Sequence, residues 1–205
     1  MTANQKEKSN YPARLKRSQG FFGIHFDFHA GEDSDEIGKH TTPEMIARVM
    51  RELQPDFVQC DCKGHSGYSS YPTKTGYAAP GVAADALLIW RQVTAEHEVG
   101  LYMHYSGIWD SVAMRHHPDW ARLDEEGRSD PNLACVLGPY VDELMLPQLK
   151  ELVDSYDVDG IWVDGDCWAM KRDYHPLVLE AFRKATGIET VPLKPEDPYF
   201  AEFTE

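Results

Sequence analysis

The sequence predicts an α/β fold of parallel strands, a TIM-type (β/α) barrel of which the first four βα units are present. Three observations predict it. Apolar strand-like segments alternate with amphipathic helical ones four times, which implies parallel strands joined by right-handed crossovers. Each strand becomes polar and aromatic at its C-terminal end, where a barrel of this type carries its active site. The segment after the first strand, GEDSDEIGKH, lacks the glycine-rich phosphate turn of a doubly wound open sheet.

Residues 1–19 are mostly polar and basic and read as a lead-in. Residues 20–205 read as the N-terminal half of a (β/α)8-type barrel. A full barrel needs about 250 residues, so the domain is expected to continue past the chain end. The first strand lies in GFFGIHFDFHA, residues 20–30. Side chains alternate faces on a strand, so Ile24, Phe26 and Phe28 share one face and His25, Asp27 and His29 the other. Thr42 then caps a helix with Pro43 at its first position, and Met45, Ile46, Val49, Met50 and Leu53 form its apolar stripe. Pro55 ends it.

The second strand, PDFVQCDCKGH (55–65), sets Val58, Cys60 and Cys62 against Gln59, Asp61, Lys63 and His65, with Asp61 expected to pair with Lys63. The long loop that follows carries three tyrosines, and loops of that length are usually functional or disordered. A helix over 84–97 turns Leu88, Ile89 and Val93 inward. The third strand, VGLYMHYSGIWD (99–110), faces Leu101 and Met103 outward and Tyr102, His104 and Ser106 to the polar side. Another long loop holds His116, His117 and Trp120, the histidines read as solvated. A helix over 140–156 contains Pro147, which predicts a kink or a late start. The fourth strand, within VDGIWVDGDCW (158–168), sets Ile161 and Val163 against Trp162, Asp164 and Asp166. A last helix, 176–186, stops at Gly187.

Hydrophobic residues make up 42% and charged residues 26% of the chain, an ordinary globular balance. The net charge of −14 repels nucleic acid and anionic membranes, so neither is expected as a partner. No apolar run approaches the roughly 20 residues of a membrane span, and no signal-peptide core is visible, which makes the cytoplasm the expected location. The four cysteines contain no CxxC pair and read as buried reduced thiols, and no cofactor is expected.

Acids beside a tryptophan at the end of an apolar strand suit an enzyme acting on a polar ligand, a sugar above all. His25, Asp27 and His29 form an H-x-D-x-H run on one strand face. Such a run suits a sugar pocket, a divalent metal or a structural cluster of satisfied polar groups.

The four strand ends together resemble the retaining α-L-fucosidases. Their first strand ends FGIFIHWG-like, here FFGIHFDFHA; the second KHHDGF-like, here CKGHSGY; the third GLYYS-like, here GLYMHYS; the fourth LWFDG-like, here IWVDG. The match spans roughly residues 20–168, and GPYVDELMLPQLKELVDSYDVDGIWVDG carries it furthest. The resemblance implies a retaining glycoside hydrolase with Asp164 as nucleophile. It maps Trp162 and His25 onto matching positions and the second-strand Lys-His pair onto Lys63 and His65, with Gly64 where the family has another histidine. Asp27 and His29 fall outside its pattern. It places the acid/base later, beyond residue 205. Candidate substrate-binding residues are therefore His25, Asp27, His29, Lys63, His65, His104, Trp162, Asp166 and Trp168. The expected partner is an oligosaccharide or glycoside, with no metal. A metal-dependent barrel hydrolase using the H-x-D-x-H run and a non-catalytic sugar-binding protein stay open as the other readings.

Overall fold

In the computed structural model, which describes residues 16–165 and 171–204, the chain runs in this order. It begins β1 (Gly23–Phe26), α1 (Pro43–Leu53), β2 (Phe57–Lys63), β3 (Tyr68–Ser69), β4 (Tyr77–Ala78) and α2 (Ala86–Glu96). It continues β5 (Gly100–Ser106), α3 (Ser111–His116), β6 (Ala121–Leu123) and β7 (Ser129–Ala134). A π-helical turn (Val141–Met145) leads into α4 (Leu146–Tyr156), then β8 (Gly160–Asp164), α5 (Pro176–Thr186) and α6 (Phe200–Thr204).

The helix ends follow their capping residues. Thr42 accepts from the Met45 amide with Pro43 at the first position, and Asp85 does the same for Leu88 at the start of α2. Gly187 closes α5 at φ 73°, the left-handed region that suits glycine. Pro147 is the second residue of α4, and the π-helical turn before it takes up the mismatch: a late start rather than a kink.

β1, β2, β5 and β8 pair in parallel as neighbours in chain order, as the alternating pattern predicts. One face of this sheet carries the main core. Val58, Leu101 and Met103 from the strands meet Ile46 of α1, Leu87 of α2 and Leu152 of α4, each at most 6% exposed. Burying each such side chain is worth about 1.5–3 kcal/mol. On the opposite face the lower layer is aromatic. Phe57 and Tyr102 meet edge to face at 5.6 Å, and Gly23 and Gly160 leave room for their rings. A Cβ at Gly23 would lie 2.1 Å from the Phe57 ring, and one at Gly160 2.6 Å from the Tyr102 ring.

The strand faces hold except at one place. The ladder pairs Asp61 with His104 but Lys63 with Tyr105, so an extra residue enters β2 at Cys62. Lys63 therefore turns to the helix-covered side, where its Nζ lies 4.5 Å from the centre of the Tyr105 ring. The expectation that Lys63 shares a face with Asp61 and His65 is corrected by this bulge.

Both long loops are built structure. The first folds into β3 and β4, which extend the sheet beside the end of β2. Glu151 of α4 fastens it, accepting from Tyr71 Oη, Thr73 Oγ1, the Lys74 amide and Thr75 Oγ1. The second contains α3 and the antiparallel β6–β7 hairpin. His116 stacks on Tyr77 and His117 on Trp120, so both histidines pack against rings instead of being merely solvated. Cys60, Cys62 and Cys135 are buried free thiols. No helix among the described residues is long and apolar enough to cross a membrane.

Candidate active site

Side chains at the C-terminal ends of the four parallel strands converge on one face. The sheet register sets Asp61, His104 and Trp162 side by side on β2, β5 and β8, and Ser106 beside Asp164 one step higher. His104 is the hub. Its Nδ1 bonds Asp61 Oδ1, and its Nε2 lies 3.0 Å from Asp164 Oδ2. The His29 ring stacks on that of His104 at 5.5 Å, and the His25 ring is tilted against it at the same separation. Trp162 lies 5.1 Å from His104 and remains 48% exposed.

His65 enters from the turn after β2. Its Nδ1 lies 2.7 Å from Ser106 Oγ, and its ring stacks on Trp109 at 5.0 Å. Asp27 reaches His29 at 3.1 Å, and His29 Nε2 also lies 3.8 Å from Asp61. His29 fits because residue 64 is glycine: a Cβ there would lie 2.8 Å from both Cβ and Cγ of His29.

The electrostatics follow from these contacts. Burial disfavours charge on His104, but its hydrogen bonds to Asp61 and Asp164 outweigh that and hold the imidazole above its ordinary value. Burial would raise Asp164, but the His104 bond and the Gly165 amide outweigh it and keep the carboxyl below its ordinary value. His65 is pushed down, first by burial and then by the charge of His29. The result is an ionised carboxylate at the end of β8, held by a histidine that favours the protonated form.

The structure thus brings His25, Asp27, His29, His65, His104, Trp162 and Asp164 together. Lys63 is not. It is 1% exposed and bonds the Ser106 carbonyl at 2.8 Å, the Tyr140 hydroxyl at 3.2 Å and the Asp110 carboxylate at 3.1 Å. Asp61 accordingly pairs with His104, not with Lys63. Asp166 and Trp168 lie outside the described residues. The sequence reading missed Asp61, Ser106 and Trp109 as site residues. Asp61 and Ser106 sat at the inward period-two positions of their strands, which was the available signal. Trp109 comes from the turn beyond β5, where strand periodicity gives none.

A family model described as alpha-L-fucosidase matches residues 8–191 of the chain. The chain belongs to the alpha-L-fucosidase family. An alpha-L-fucosidase of Dictyostelium discoideum is 24% identical over 134 residues, covering 62% of this chain and 26% of that protein. Among solved structures, alpha-L-fucosidase isoenzyme 2 from Paenibacillus thiaminolyticus superposes with a TM-score of 0.70 at 23% identity, covering 90% of this chain and 28% of that one. An alpha-L-fucosidase from Vibrio sp. strain EJY3 does so with a TM-score of 0.51 at 18% identity over 74% of this chain and 27% of that one. The chain therefore spans about a quarter of the curated alpha-L-fucosidase that it matches. At these identities the structural likeness is one of fold.

Proposed function

We propose that this chain carries the nucleophile of a retaining α-L-fucosidase-type glycoside hydrolase, and that its four parallel strands are the first part of a closed (β/α)8 barrel. The observation that carries this is Asp164: ionised, at the C-terminal end of β8, 3.0 Å from His104 Nε2 and still open to solvent. The motif resemblance assigns the nucleophile to the same residue.

In this mechanism Asp164 attacks the anomeric carbon, and a glycosyl ester forms as the leaving oxygen takes a proton from an acid. Water then cleaves the ester with retention. Trp162 offers an open ring face to the apolar side of the sugar, and His25 and His65 offer ring nitrogens to its hydroxyls. His104 acts on Asp164 rather than on sugar, because both its nitrogens are taken. Asp61 does not serve as the acid, since its side chain has no solvent exposure and is bonded to His104. The second carboxyl belongs about 5–5.5 Å from Asp164.

The full-length protein tests this. Asp164→Ala and Asp164→Asn are expected to lower turnover of an aryl fucoside by about three orders of magnitude or more, with the fold retained by far-UV circular dichroism. Azide should partly rescue the Ala variant and give a product of inverted configuration. Near-normal turnover by Asp164→Ala would overturn the assignment.

A further inference from the structure

Four residues of the cluster are poorly explained as sugar ligands. Asp27 and His29 fall outside the first-strand motif of the resemblance. Asp61 and His104 point their polar atoms at each other. Yet one donor atom from each of Asp27, His29, Asp61 and His104 lies within 4.8 Å of the other three. The four come from three segments: Asp27 and His29 from the turn after β1, Asp61 from β2 and His104 from β5.

The second observation is Asp61 itself. Its side chain is fully buried, and among the described residues its Oδ2 has no hydrogen-bond partner. A buried carboxylate oxygen without a partner is costly, and a cation at this place removes the cost. We propose that Asp27, His29, Asp61 and His104 bind a divalent cation, with zinc the best match. Two imidazoles and two carboxylates form a four-donor set that suits zinc. On binding, the proton that His104 Nδ1 donates to Asp61 Oδ1 leaves to solvent, Nδ1 becomes a ligand, and the Asp61 carboxylate binds through both oxygens, which gives Oδ2 its partner. His104 Nε2–H then donates to Asp164, which is the outer bond a metal-ligating histidine ordinarily makes. Asp27 and His29, with side chains 71% and 38% exposed, leave the outward side of the ion open to water or a sugar hydroxyl.

Zinc binding is the readout, so the outcome is independent of whether Asp164 is the nucleophile. Full-length protein, stripped with a chelator and dialysed, is titrated with zinc chloride by calorimetry. One zinc per chain at micromolar affinity or tighter is expected. His29→Ala and Asp27→Ala should each weaken it at least about tenfold, with far-UV circular dichroism unchanged. These two partly exposed positions carry the test because Asp61→Asn risks unfolding the chain. Absence of stoichiometric binding, or the same affinity in both variants as in the unaltered protein, would overturn the proposal.

Discussion

At the residue scale, His104 ties its charge to two carboxylates. Despite burial, its pKa is raised by Asp61 and Asp164, so its stabilising contribution is full below 6.5 and is lost as pH climbs through the raised value. Asp164 is lowered, so its contribution is full above 3.8 and is lost as pH falls through the lowered value. The pair therefore stabilises most between 3.8 and 6.5. The stability gap between the native chain and His104→Gln should be widest in that window and narrow as pH rises through the raised value of His104; thermal unfolding across pH measures it, and a gap constant with pH would contradict the ion pair. Gly64→Ala tests the packing beneath His29. The added methyl must move both the ring and the Cβ of His29, an overpacking cost of about 1–3 kcal/mol, visible as a lower denaturant midpoint.

At the scale of elements, the bulge in β2 makes a buried ion pair. Lys63 and Asp110 are at most 1% exposed, and Asp110 also caps α3 through the Ala113 amide. Lys63→Met should leave Asp110 charged and unpaired, at about 3–5 kcal/mol by denaturant unfolding. If the loss is below about 1 kcal/mol, the pair does not carry the turn after β5. Glu151 makes the parallel case for the first long loop. Glu151→Ala should speed hydrogen exchange at the amides of Lys74 and Gly76 by about 2 kcal/mol of lost protection, leaving the β2 and β5 amides unchanged. The sequence showed the four strands and their helices because period-two and period-3.6 patterns report burial directly. It did not show the bulge, because alternation assumes an unbroken ladder and Cys62 fits either face. The β6–β7 hairpin was hidden because β6 is only three residues long and β7, Ser129–Ala134, begins inside the turn-rich run DEEGRSDPN. Asp61 was paired with Lys63 for the same reason, since without the bulge the acid and the lysine share a face.

At the scale of the whole molecule, β1 and β8 each pair on one side alone among the described residues. Their open edges lie near exposed aromatics: Phe21 is 98%, Phe22 45% and Trp162 48% exposed. Unpaired strand edges and apolar surface of this kind template association. The 205-residue chain by itself should self-associate with rising concentration, as read by light scattering, and should do so more strongly in salt that screens its charge of −14. A monomer at all concentrations and salts would show that these edges are protected.

The contact of His29 with Gly64 also constrains how such a sequence changes over time. A side chain at 64 and the present placement of His29 exclude each other. A lineage that gains one must first have surrendered the other, and the bare intermediate, Gly64 with a small residue at 29, is the passable state between them. The two positions are inherited as alternatives, so related chains should carry a bulky residue at one or the other and not at both.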